Sequence, residues 1–99
     1  YDSLRAINPR LIYCSITGYG ESPEARDRPA FDTTAQALSG LLSLVLGSFD
    51  REVTIRAFLS DILAGVYACN GVLAAIVART KTCEGQEVRT SLLEASLSF

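Results

Sequence analysis

Residues 62–78 form an almost unbroken run of apolar and small side chains, interrupted only by Asn70 and bounded by Asp61 and Arg79. Such a run is too long for a strand, so it must be a helix. It also falls short of the roughly 20 residues that a bilayer span requires, so no membrane is expected. Its content of Ala64, Gly65, Ala68, Gly71, Ala74 and Ala75 suits a helix buried on all sides against close neighbours. The expected helix opens near Ser60 or Asp61, runs to about Lys81 and closes at Glu84-Gly85.

A buried helix of this kind needs cover, and the chain is short of it. A domain of this size buries only roughly 60 to 70% of the surface its unfolded form exposes, yet 48% of the 99 residues are hydrophobic and the mean hydropathy is +0.24. Apolar faces left over in this way signal association, so a homo-oligomer is expected, or cover from further parts of a longer protein. The chain ends fit the second expectation. Asp2 to Asn8 has the spacing of a helix tail stopped by Asn8-Pro9, and a helix opening near Ser91 still runs at Phe99. The expectation is that residues 1–99 are a single slice of one larger domain, truncated at both ends.

Between these helices the pattern is mixed. Leu11 to Thr17 is a short apolar, β-branched run leading into Gly18-Tyr19-Gly20, the mark of a strand feeding a loop. Being apolar on both faces, it favours a parallel sheet covered by helices, hence an α/β fold. Val53 to Phe58 and Glu87 to Thr90 are further extended candidates. Glu21 to Pro29 is polar, Pro-marked loop. A helix then starts at Asp32 or Thr33, with Leu38, Leu41, Leu42 and Val45 along one stripe and Gly47 as its stop.

Composition narrows the chemistry. There is no His, which excludes Ser-His-Asp and Cys-His catalysis and His-based zinc sites, and no metal is expected. Nine Lys and Arg against eleven Asp and Glu give a net charge of -2 and no basic stripe, so nucleic acid is not an expected partner. Arg26, Arg28, Arg79 and Lys81 are scattered and suit a solvated surface. Cys14, Cys69 and Cys83 are odd in number and far apart, with no CxxC, which suggests a reducing, cytoplasmic setting and buried or incidental thiols. No signal-peptide pattern is present.

Acid-base or nucleophilic work therefore falls to carboxylates. Asp61 sits where an extended stretch meets an apolar helix, a place that favours an ionised carboxylate. Held in a dry cleft, such a group is a competent nucleophile toward an activated acyl group, although an ordinary helix cap has the same position. Asp32, behind Ala30-Phe31, has the same two readings. Gly18 and Gly20 could bring backbone amides close to a ligand at a strand's carboxyl end.

Several blocks taken together go further: Asn8-Pro-Arg-Leu-Ile-Tyr-Cys-Ser-Ile-Thr-Gly-Tyr-Gly20, Arg28-Pro-Ala-Phe-Asp32, Gln36-Ala-Leu-Ser-Gly40, Ser60-Asp-Ile-Leu-Ala-Gly65, Arg79-Thr-Lys-Thr-Cys-Glu-Gly-Gln86 and Ser91-Leu-Leu-Glu-Ala95. In this order, across nearly the whole chain, they resemble the family III CoA-transferases, the group that includes formyl-CoA transferase, carnitine CoA-transferase and related acyl-CoA racemases. The resemblance implies a central piece of a large Rossmann-like α/β domain, in an enzyme whose two subunits interlock like links of a chain. It implies that Asp61 is the nucleophile, acting on an acyl-CoA through a mixed anhydride and an aspartyl-CoA thioester, with CoA passing to a carboxylic acid. It further implies that Pro29, Ala30, Phe31 and Asp32 lie among the contacts to CoA. The racemase branch carries a His before the matching Asp, where this chain has Phe31, so transfer is favoured over racemisation.

Three positions depart from the family pattern: Arg56 and Cys83 stand where Gly is usual, and Phe58 where Pro is usual. If the turn at Cys83 needs a positive φ, its β-carbon costs on the order of 1 kcal/mol. The segment alone is expected not to turn over substrate. The competing expectation is a non-catalytic, oligomerising module.

Overall fold

The structure is a computed structural model that describes residues 1–47 and 57–99. The elements run α1 (Asp2–Ile7), β1 (Tyr13–Thr17), α2 (Asp32–Ser39), α3 (Leu41–Leu46), α4 (Leu59–Thr82), β2 (Glu87–Ser91) and α5 (Leu92–Leu97). β1 and β2 pair in parallel, in register from Tyr13 opposite Glu87 to Thr17 opposite Ser91, which is the expected α/β arrangement. Of the strand expected over Val53 to Phe58, residues 53–56, Arg56 among them, lie outside the described residues. The helix expected at the C-terminal end covers only Leu92–Leu97 and does not continue to Phe99.

Glycines set how closely the layers approach. The Gly85 N–H donates to the Pro9 carbonyl at 2.8 Å, and a β-carbon on Gly85 would stand 1.9 Å from the Leu11 carbonyl oxygen. Only a residue without a side chain lets the lead-in to β2 lie flush against the lead-in to β1.

α4 covers this pair, but only along one stripe. Ser60, Ala64, Ala68 and Ala75 are buried, at spacings that keep them on one face and let neighbours come close. Ile62, Val66, Leu73 and Val77 are exposed within the chain. The expectation of a helix buried on all sides is therefore corrected: the sheet and its flanking helices reach one face only. The helix is also longer than the apolar run, because Leu59 to Asp61 and Arg79 to Thr82 extend it. At 24 residues it is long and apolar enough to cross a membrane by length and composition.

The single helix expected from Asp32 to Gly47 is two. Gly40 adopts a left-handed conformation (φ 80°, ψ −6°) and separates α2 from α3. The Ser39 hydroxyl donates to the Gln36 carbonyl at 3.1 Å and accepts the Leu41 N–H at 3.3 Å, so the break keeps its polar groups bonded. Only Leu41 of the expected stripe is buried, while Leu38 and Val45 are exposed. Gly47 ends α3 as expected, with φ 68°.

Buried apolar side chains among the described residues are Ala35, Ala64, Ala68, Ala75, Ala95 and a single large one, Leu41. The accessible surface is 6888 Å², against about 5,500 Å² for a compact monomer of this mass. The radius of gyration, 16.3 Å, likewise exceeds the about 13 Å of a compact 100-residue domain. These helices and strands meet through small residues and leave their large ones outside.

Candidate active site

The site is built where α2, α4 and α5 converge. Asp61 is the third residue of α4, in its first turn rather than at its N-cap, and it is exposed. The N-cap position is Phe58, which offers the helix no side-chain hydrogen bond. The first-turn amides of a helix lack intrahelical partners, and one of them finds its partner on a different helix. Asp32 Oδ1 accepts the Asp61 N–H at 3.0 Å.

Asp32 is only 7% exposed. Burying a carboxylate is costly unless its lone pairs are filled. Its Oδ2 accepts from Gln36 Nε2, one helical turn further along α2. Gln36 is fully buried, and the same Nε2 also donates to the Ala57 carbonyl at 2.9 Å. Gln36 Oε1 has no partner among the described residues.

A second buried polar contact lies beside the first. Ser96 of α5 donates to the Leu92 carbonyl at 2.7 Å. Its hydroxyl hydrogen being used there, the Ser60 hydroxyl is the donor in the 2.7 Å Ser60–Ser96 pair. Residues 60 and 61 are thus tied to α5 and α2 respectively. The N-cap of α5, Ser91, accepts the Glu94 N–H at 3.1 Å, and the Leu93 N–H donates to the Gly18 carbonyl at 3.1 Å, which fastens α5 to the end of β1.

The structure brings Asp32 and Asp61 together and separates their surroundings. Asp32 starts α2 as its first residue, with Phe31 at the N-cap, so its expected role as cap of its own helix is replaced by a cap on α4. Both its oxygens serve the protein. Pro29 and Phe31 are exposed and face outward, while Ala30 is half-buried with its β-carbon against Gly18. Phe31 is held by its backbone, with Thr34 Oγ1 accepting the Phe31 N–H at 3.0 Å and donating to the Phe31 carbonyl at 2.6 Å. Tyr19 donates its hydroxyl to Thr34 Oγ1 at 3.1 Å, and Arg28 lies over the Tyr19 ring at 5.6 Å.

The glycines after β1 act differently from the expectation. A β-carbon on Gly18 would meet the Ala30 β-carbon at 2.0 Å, so Gly18 lets the approach to α2 press against the end of β1. The Gly20 N–H is taken by Thr17 Oγ1 at 3.0 Å. That amide is engaged within the chain. Beyond it, Arg89 of β2 bridges Glu21 at 2.6 Å and Glu87 at 2.6 Å; the Glu87 hydrogen bond, followed by the charges of Glu21 and Glu87, raises the guanidinium's pKa. Thr17, Gly20, Glu21, Arg89, Thr90 and Glu94 line a cavity of about 360 Å³ there.

All three thiols are free, Cys14 half-buried and Cys69 and Cys83 exposed, so of the two readings, buried or incidental, the exposed pair takes the second. Among the described residues no group of three or more His, Cys, Asp or Glu is placed to hold a metal ion. Ser60, Gln36 and Ser96 were not singled out by sequence. Gln36 carried one usable signal, its place one turn after Asp32, where two polar residues among alanines share a helix face.

The whole chain, residues 1–99, matches CoA-transferase family III, and it belongs to that family of enzymes. It is 34% identical over 95% of its length to the succinate–glutarate CoA-transferase of Agrobacterium fabrum, covering 24% of that protein. It is 37% identical over its full length to the acetyl-CoA:oxalate CoA-transferase of Acetobacter aceti, covering 26% of it. A crystal structure of a CAIB/BAIF family protein from Brucella suis superposes with a TM-score of 0.89 and 36% identity, over 99% of this chain and 26% of that one. The chain spans about a quarter of the length of the curated relatives it matches.

Proposed function

We propose that this segment carries the nucleophile of a CoA-transferase, Asp61, within a longer α/β enzyme that moves CoA from an acyl-CoA to a carboxylic acid. The supporting observation is the contrast at the start of α4: the Asp61 amide is bound while the residue itself is exposed. An Asp61 oxygen attacks the thioester carbonyl, the C–S bond breaks, and CoA leaves as thiolate with the bonding pair, giving a mixed anhydride. The thiolate attacks the aspartyl carbonyl of that anhydride and expels the acyl group as its carboxylate. The resulting aspartyl-CoA thioester is attacked by the acceptor carboxylate, and the same two steps in reverse yield the new acyl-CoA and restore Asp61. Carboxylates and thiolates are exchanged throughout and no step needs a proton, which fits a chain without His.

Pro29, Ala30 and Phe31 would meet CoA, and Asp32 would act behind them. Racemisation, which needs a proton acceptor at the α-carbon, is disfavoured by Phe31. The segment by itself would be inactive, because its apolar faces are open, and an assembly with a second copy would close some of them. A water-soluble, cytoplasmic setting fits best. The middle of α4 packs on β2 at Gly71 and Val88, between Glu87 and Arg89, and a bilayer would have to accept that ion pair. Exposed Cys69 and Cys83 suit a reducing compartment.

Asp61→Ala in the enzyme containing this segment should lower CoA transfer by about 10⁴-fold or more with the KM for acyl-CoA little changed. Steady-state transfer between an acyl-CoA and a free acid measures it. Activity within tenfold of wild type would remove Asp61 from the chemistry.

A further inference from the structure

We infer that Asp32 is a positioning residue for Asp61, holding the first turn of α4 from α2; this rests on the reading of Asp61 as nucleophile given above. A helix whose first turn needs a cap ordinarily takes it from its own N-cap side chain. Phe58 has no such group, and the amide of Asp61 is served instead by a buried carboxylate 29 residues earlier in the chain. The two arrangements satisfy the amide equally but differ mechanically. A cap from Phe58 would travel with α4, whereas a cap from Asp32 fixes α4 to α2, and so to the neighbouring stretch Pro29 to Phe31.

Gln36 completes the device. Its amide nitrogen bonds the second oxygen of Asp32 and the carbonyl of Ala57, so the stretch from Ala57 to Asp61 is held to α2 at both ends. The Ser60–Ser96 bond holds the intervening turn to α5. Asp61 then has a fixed backbone under an exposed side chain. Attack on a thioester carbonyl depends on that placement, and a displacement of about 1 Å is enough to lose on the order of 10²-fold in rate.

The donor pattern also distinguishes a carboxylate from an amide at position 32. Asp32 accepts on both oxygens. An Asn there could keep the Asp61 N–H on its oxygen, but its NH₂ would face the Gln36 NH₂, and relief by flipping Gln36 would release the Ala57 carbonyl. Asp32→Asn keeps the Asp61 end of the clamp, whereas Asp32→Ala removes it and leaves only the Gln36–Ala57 bond.

The test uses the enzyme containing this segment, an acyl-CoA at saturation, and hydroxylamine, whose nitrogen displaces CoA thiolate from the aspartyl carbonyl and leaves a hydroxamate on Asp61 that mass spectrometry counts. Rate and endpoint are read separately, because misfolding lowers the endpoint and misplacement lowers the rate. Wild type should label fully at Asp61. Asp32→Ala should label about 10²-fold more slowly, with the KM for acyl-CoA changed less than about threefold, and Asp32→Asn should recover about tenfold of that loss. If Asp32→Ala does not fold, Gln36→Leu, which frees the Ala57 end, carries the test through a slower rate at an unchanged endpoint. Absence of label in the wild type overturns the Asp61 reading itself. Wild-type labelling with unaltered rates in the folded variants, or a change confined to KM, overturns the positioning role alone.

Discussion

The start of α4 and the middle of α4 obey opposite rules. At the start, polar groups answer one another within the segment: Asp61 N–H by Asp32, Asp32 by Gln36, Ser60 by Ser96, Ser96 by Leu92, with Gln36 Oε1 left without a partner among the described residues. From Ile62 to Val77 the helix pairs one stripe of alanines with its neighbours and presents Ile62, Val66, Leu73 and Val77 to the outside. The site's local geometry is therefore set among the described residues, while on the apolar side these residues leave the large side chains of α4 exposed. A hydrogen-bonded site can be specified by a few residues of exact complementarity, but a hydrophobic core needs volume.

The comparison can be broken most sharply on the apolar side. Val66→Asp in the whole enzyme should destabilise by roughly 3 kcal/mol or more if that face is covered there, measured as a drop in denaturant midpoint. The same substitution in the isolated segment should change its stability by less than about 0.5 kcal/mol. Equal, small effects in both settings would show α4 to be a solvent-facing helix and end the contrast. On the polar side, Ser96→Ala leaves the Ser60 hydroxyl buried without an acceptor and should cost about 1 to 3 kcal/mol, whereas Ser60→Ala, which leaves Ser96 donating to Leu92, should cost less. A double-mutant cycle over the pair checks the ordering.

How far the sequence reveals this follows the same division. The length and apolar continuity of residues 62–78 are enough to place α4, and Leu11 to Thr17 to place β1, because both depend on local pattern. The break at Gly40 is not visible in this way: a single Gly inside a helical stripe costs only about 1 kcal/mol and is often tolerated, and here the Ser39 hydroxyl rebonds the broken turn. Nor is the destination of Asp32. Its position announces a cap, but nothing in the sequence says that the amide it serves lies on another helix. Asp61 as a candidate is legible from position and family blocks and Gln36 is hinted at by its place one turn after Asp32, whereas Ser96 becomes visible only with tertiary contacts.

The smallest expected effect concerns the other end of α4. Cys83 closes the helix with φ 62° and ψ 4°, a left-handed conformation in a residue with a β-carbon. Cys83→Gly should raise stability by about 1 kcal/mol, read as a shift in thermal midpoint. No gain would mean that thiol contacts offset the backbone cost and that this end of the helix, too, leans on something beyond the local chain.

The pairing of β1 with β2 has a consequence in time. Tyr13 and its partner Glu87 are joined by a chain that must first supply α2, α3 and α4. At a synthesis rate of about 5 to 20 residues per second, β1 leaves the ribosome several seconds before the strand it pairs with exists. Throughout that interval a short apolar strand has an open edge, and the newborn protein depends on whatever shields that edge until Gly85 brings β2 alongside.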